Sequence, residues 1–179
     1  MSTSRYFAYG SNLNAEDFQA WCRNGNHPAI VLRNPARAVL PDHELAFTYY
    51  STSRKGGVLD VRFRAGHFVS GVLFDISEAG LRVIDLKEGA PNAYERKLVT
   101  VLDGVGNKVA AVTYRVRPDR AVEFVRPTED YLRIVANGLR DFGLYDGDLQ
   151  AAATQRDNEP ASNSPGTTRC GQVVVQGTK

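Results

Sequence analysis

Cysteine, histidine and tryptophan are all scarce in this chain. Its two cysteines, Cys22 and Cys170, are too few for a disulfide framework. One falls in a predicted helix and the other in a polar tail, an arrangement that suits a reducing cytoplasm. The three histidines, His27, His43 and His67, show no ligand spacing, and no CxxC occurs, so neither a metal nor another cofactor is expected. Long apolar runs are missing as well. Nothing approaches the ~20 residues that cross a bilayer, and no membrane partner is expected. The opening MSTSRYFAYGSNL lacks an apolar core followed by a small-residue cleavage site, so it reads as a first strand and not as a secretory signal. Neither sign of charge dominates, with 22 basic against 20 acidic residues. Arg62, Arg64, Arg115, Arg117 and Arg120 alternate with apolar residues as a solvated sheet face does, which argues against a nucleic-acid partner. Serine-hydrolase elbows, phosphate loops and dinucleotide fingerprints are also absent.

What remains is ordinary globular composition, 42% hydrophobic and 23% charged over 179 residues, enough for one domain with a real core. Residues 5–9 read as an aromatic strand broken by Gly10-Ser11-Asn12. Asn14 is a predicted N-cap with Glu16 and Asp17 in the first helical turn, and Gly25 ends that helix. Strands are expected at 44–50, 58–63 and 67–76, followed by a short helix over 78–88 capped by Ser77 and stopped by Gly89 and Pro91. Residues 94–102 and 109–116 form a predicted hairpin. Pro127-Thr128 opens the longest helix, with Tyr131, Val135, Leu139 and Phe142 on one face, read as core, and Gly143 at its close. The pattern assigns a domain to 1–150. The low-complexity stretch 151–179 is expected to be mobile, with one candidate strand at Val173-Val174-Val175. Clustered antiparallel strands with helices around them indicate an α+β fold with a curved or closed sheet.

Two segments concentrate functional character: Tyr9-Gly10-Ser11-Asn12 and Asp85-Leu86-Lys87-Glu88-Gly89. A tight loop between strand and helix leaves amides unpaired and suited to an oxyanion or carboxylate. Ser11 lies where a nucleophile could stand, but no activating base accompanies it, so a loop-forming role is favoured. Glu88 ends a helix, where the macrodipole disfavours negative charge, and partial burial would raise its pKa further. A carboxyl near neutrality serves general acid/base catalysis. A surface glutamate that merely precedes a capping glycine fits the same residues, and physics alone favours that plainer role.

The segment Tyr6–Leu13 (YFAYGSNL) resembles the N-terminal signature of the γ-glutamylcyclotransferase superfamily, which includes plant avirulence-induced and bacterial aminoglycoside-pathway members. Leu86-Lys87-Glu88-Gly89, followed by Tyr94-Glu95-Arg96, is similar to that family's catalytic segment, and Pro127–Leu144 to its C-terminal helix. The resemblance covers about residues 5–149 and overturns the plainer reading of Glu88. It implies a small mixed β-barrel with flanking helices and a cavity at one end. It further implies Glu88 as catalytic acid/base, Tyr9, Gly10, Ser11 and Asn12 as the loop holding the glutamyl group, and Tyr94 near the pocket. The implied reaction closes a γ-glutamyl amide on itself to give pyroglutamate, with a small γ-glutamyl molecule as partner. The glutathione-specific branch typically carries YGSL, so Asn12 points to γ-glutamyl-amino acids, γ-glutamyl-lysine isopeptides or γ-glutamylated natural products. Two alternatives stay open: removal of a γ-glutamyl protecting group in a biosynthetic pathway, and a non-catalytic accessory domain of the same fold. Oligomeric state is not legible.

Overall fold

The computed structural model describes residues 3–154. Five strands form a closed barrel: β1 (Thr3–Ala8), β2 (Arg33–Ser51), β3 (Gly56–Ser77), β4 (Tyr94–Asp103) and β5 (Lys108–Val116). Their order around the barrel is β1-β3-β2-β4-β5. The barrel is mixed because β1 closes it by running parallel to β5, with Tyr6 opposite Val112, while the other neighbours are antiparallel. Among the described residues, four α-helices flank it: α1 (Ala15–Asn24), α2 (Glu78–Glu88), α3 (Glu129–Asp141) and α4 (Gly147–Thr154). The expected α+β barrel is thus the observed architecture. Its interior is filled by alternating residues such as Phe7, Leu40, Phe47, Val69, Leu73 and Val101, each nearly inaccessible to solvent.

Local chemistry explains the helix ends. Asn14, Ser77 and Thr128 each accept a backbone N–H three residues on, at 2.9, 3.1 and 3.2 Å, which satisfies an amide that the first turn leaves over. Gly89 closes α2 in the left-handed conformation (φ 63°), where a side chain would be strained.

Two expectations changed in detail. The strands expected at 58–63 and 67–76 are one continuous β3, because the Gly66 turn is absorbed as a bulge: its N–H donates to Asp42 Oδ1 at 2.9 Å and the register shifts between Pro41 and His43. Likewise β2 starts at Arg33 rather than 44, carrying Pro35 and Pro41 at two register shifts, where the missing N–H is tolerated. α4 was not foreseen; it carries regular structure past residue 150, with Leu149 and Ala152 buried. Residues 155–179, including Val173-Val174-Val175 and Cys170, lie outside the described residues.

One contact fixes the loop that matters most. α3 crosses the 3-10 turn Ser11–Leu13 so closely that a Cβ on Gly138 would stand 2.7 Å from Asn14 N and 2.8 Å from the Leu13 carbonyl carbon. Asn14 Nδ2 also donates to Ile134 O at 3.0 Å. Both opposing atoms are backbone, so neither can swing aside. Gly138→Val is expected to lower the thermal midpoint by roughly 3–10 °C. A calorimetric midpoint equal to that of the parent chain would contradict this close approach.

Candidate active site

The site forms where the end of β1 meets the end of α2. After Tyr9 the chain tightens into the 3-10 turn, closed by Leu13 N–H to Gly10 O and Asn14 N–H to Ser11 O, both at 3.0 Å. The Ser11 and Asn12 amides sit at the head of that turn, where helical geometry supplies no acceptor. Across from it, α2 ends at Glu88. The carboxyl of this half-buried residue accepts from Asn12 Nδ2 at 2.7 Å. The same Nδ2 donates its second hydrogen to the Tyr6 hydroxyl at 2.8 Å, while Asn12 Oδ1 is buried without a protein partner. A small cavity of about 30 Å³, bounded by Gly10, Asn12, Glu88 and Tyr94 among others, adjoins these groups and matches about one water molecule.

Burial raises the pKa of Glu88 above the ordinary carboxylate range. The Lys87 ammonium, the Asn12 bond and the Arg54 guanidinium pull the other way without cancelling it. Glu88 also lines a larger open cavity of about 390 Å³, together with Ser11, Arg54, Lys87, Tyr94 and Tyr131. Asp17 binds that wall together: it accepts from Arg54 at 2.6 Å and lies 3.7 Å from Lys87 Nζ. Arg54 also stands over the Tyr131 ring, 5.7 Å from its centroid.

The structure therefore brings Gly10, Ser11, Asn12, Glu88 and Tyr94 to one concavity. Tyr9 lines it as well, and the hydroxyls of Tyr9 and Tyr94 are both committed within the protein. The Tyr9 hydroxyl donates to Tyr114 O at 2.7 Å and that of Tyr94 to Leu59 O at 2.6 Å, and burial pushes both phenols well above their usual pKa. Neither is placed to trade protons near neutrality. Gly10 has ordinary extended backbone (φ −120°), and a Cβ there would touch only Leu59 at 3.8 Å, so the fold itself does not demand glycine.

Sequence reasoning missed Arg54, Tyr131 and the second use of Asp17. Asp17 looked like a first-turn acid and also holds Arg54, 37 positions away, which no spacing rule could pair. Tyr131 looked like core, which its burial satisfies. Its hydroxyl nevertheless accepts from Leu59 N–H at 3.3 Å at the cavity wall, and burial pushes its pKa up to about 12. Asp60, also not singled out, is buried but accepts from Thr48, Val61 and Val116, each at 2.8 Å, and so knits three strands together. Among the described residues no cluster of three or more His, Cys, Asp or Glu side chains could hold a metal ion, and no helix is long and apolar enough to cross a membrane.

Comparison with known proteins bears on the fold and the family. No curated protein matches the chain. Among solved structures, one described as a gamma-glutamyl cyclotransferase is 24% identical, with a TM-score of 0.69 over 93% of either chain. An uncharacterized protein from Homo sapiens is 24% identical, with a TM-score of 0.67 over 94% of this chain and 95% of that one. A gamma-glutamyl cyclotransferase specific to glutathione from yeast is 12% identical, with a TM-score of 0.59 over 88% and 96%. At such identities these likenesses establish the fold. The family described as gamma-glutamyl cyclotransferase, AIG2-like, matches residues 6–133, and the chain belongs to it.

Proposed function

We propose that this protein is a γ-glutamylcyclotransferase that releases pyroglutamate and a free amine from a γ-glutamyl amide, with Glu88 as its acid/base. The observation that carries the reading is a partly buried carboxyl, held by Asn12 at 2.7 Å, beside the head of a 3-10 turn and open to a cavity of about 390 Å³. In such a substrate the nucleophile is tethered to its target. The α-amine need only fold onto the γ-carbonyl, and well-oriented intramolecular attack supplies effective molarities of ~10⁵ M or more.

Protein groups are then needed for protons and for charge. The ionised Glu88 takes one proton from the α-ammonium, and the freed amine forms the new C–N bond. The oxyanion of the tetrahedral intermediate faces the Ser11 and Asn12 amides. Protonated Glu88 next delivers its proton to the amide nitrogen, whose bond to carbon breaks. Two protons travel in all, since the lactam retains one of the ammonium's three hydrogens and the amine leaves as an ammonium. One carboxyl relays both. Gly10 keeps the turn free of a side chain where the glutamyl group would lie, and the rings of Tyr9 and Tyr94 border it.

A panel of γ-glutamyl-amino acids, γ-glutamyl-ε-lysine and γ-glutamylated amines, assayed for pyroglutamate, tests the reading. Release from at least one class is expected, and the preferred class separates an amino-acid substrate from a biosynthetic protecting group. Silence across the whole panel would leave the accessory-domain reading in its place. The active chain should also lose rate toward acid pH. The required form is the carboxylate, and its pKa is raised, so the falling limb lies above the ordinary glutamate range of about 4.3. A pH–rate profile flat down to that range would count against Glu88.

A further inference from the structure

Lys87 is a buried cation whose coordination within the protein is incomplete. Its side chain is 7% exposed. Its nearest polar partners are Ser11 Oγ at 3.4 Å and Asp17 Oδ2 at 3.7 Å, and the Phe18 ring lies 5.4 Å away. Asp17 Oδ2 is already committed to Arg54 at 2.6 Å. An ammonium has three hydrogens to place, and burying it without close acceptors is costly. Burial accordingly lowers its pKa against the pull of the Glu88 and Asp17 carboxylates, and an arriving anion would supply the acceptors that the protein leaves out. Lys87 lines the same cavity as Glu88, the residue next to it in sequence.

From this we infer that Lys87, with Ser11 beside it, receives the α-carboxylate of the γ-glutamyl group. The inference rests on the reading of the cavity as a γ-glutamyl site. Substrate chemistry supplies the link: the α-carboxylate and α-amine share one carbon, so an amine brought to Glu88 carries its carboxylate to whatever stands next to Glu88. That neighbour is an under-coordinated cation. Arg54 is less suited, because its guanidinium is bonded to Asp17 and covers Tyr131. Lys87 thereby selects the conformer in which the amine points at the acid/base.

The test compares a γ-glutamyl amide with the matched 4-aminobutanoyl amide. The latter keeps the amine and the carbonyl, lacks the carboxylate and closes to 2-pyrrolidinone. The parent enzyme is expected to favour the carboxylate substrate, and Lys87→Met to reduce that preference in kcat/KM by roughly tenfold, mainly through KM. Lys87→Arg should retain part of it. An undiminished preference in a folded Lys87→Met protein overturns the inference. If the variant does not fold, the parent chain decides by thermal shift: pyroglutamate should stabilise it and 2-pyrrolidinone should not, and equal shifts overturn the inference. A parent chain that releases no pyroglutamate at all would refute the proposed function instead, and the two failures are told apart by that control.

Discussion

Glu88→Gln is expected to abolish pyroglutamate release, by roughly 100-fold or more, while the barrel stays folded. Glutamine is isosteric and its carbonyl still accepts from Asn12 Nδ2, so the 2.7 Å contact survives and only proton exchange is lost. Stability supplies an internal control whose sign is opposite to that of activity. Because burial raises the pKa of Glu88 in the folded chain, the folded state binds a proton more tightly than the unfolded state. Stability contributed by this group is therefore full below the unfolded pKa. It declines as pH rises through the unfolded value toward the higher folded one. At neutral pH the variant is freed of that penalty and should melt no lower than the parent. Any advantage in melting temperature should shrink as the pH falls into the ordinary carboxylate range. Parent-like turnover by a folded Glu88→Gln protein would remove Glu88 from the mechanism. An inactive variant that melts far below the parent would show a structural role instead.

Much of the candidate site is legible in the sequence, because several of the residues that line it are neighbours there. Tyr9-Gly10-Ser11-Asn12 is one turn and Glu88-Gly89 one helix end, and each carries local chemistry that a pattern exposes. Helix caps at Asn14 and Ser77, and the opening of the longest helix at Pro127-Thr128, were legible for the same reason. What the pattern could not supply was pairing across the barrel. Arg54 sits in the turn between β2 and β3, and nothing local in the sequence pairs it with Asp17. Gly138 was not singled out, and only the crossing of α3 over the 3-10 turn explains it. Long strands were cut short for a related reason. Glycine and proline mark breaks in a linear pattern, whereas β2 and β3 absorb theirs as register shifts.

The residue that separates YGSN from YGSL is the one whose side chain touches the carboxyl, and it leads to the second large effect. Asn12 donates both hydrogens of its amide nitrogen, one to Glu88 at 2.7 Å and one to Tyr6 at 2.8 Å, and leucine could supply neither. The bond to Glu88 favours the ionised carboxyl and partly offsets what burial does to its pKa. Asn12→Asp keeps the shape but sets a second carboxyl against the first. Two carboxyls at that distance cannot both be ionised, so they share a proton and titrate as a pair, with one step pushed strongly upward. The variant is expected to lose roughly 100-fold at neutral pH, because the proton acceptor is then mostly filled. Its acid limb should move toward alkaline pH, so that part of the loss returns as the pH is raised. A structural defect would lower the rate equally at every pH. A profile that keeps the parent's limb, whatever its height, would mean that Asn12 does not set the proton affinity of Glu88, and the turn's part in catalysis would reduce to its backbone amides.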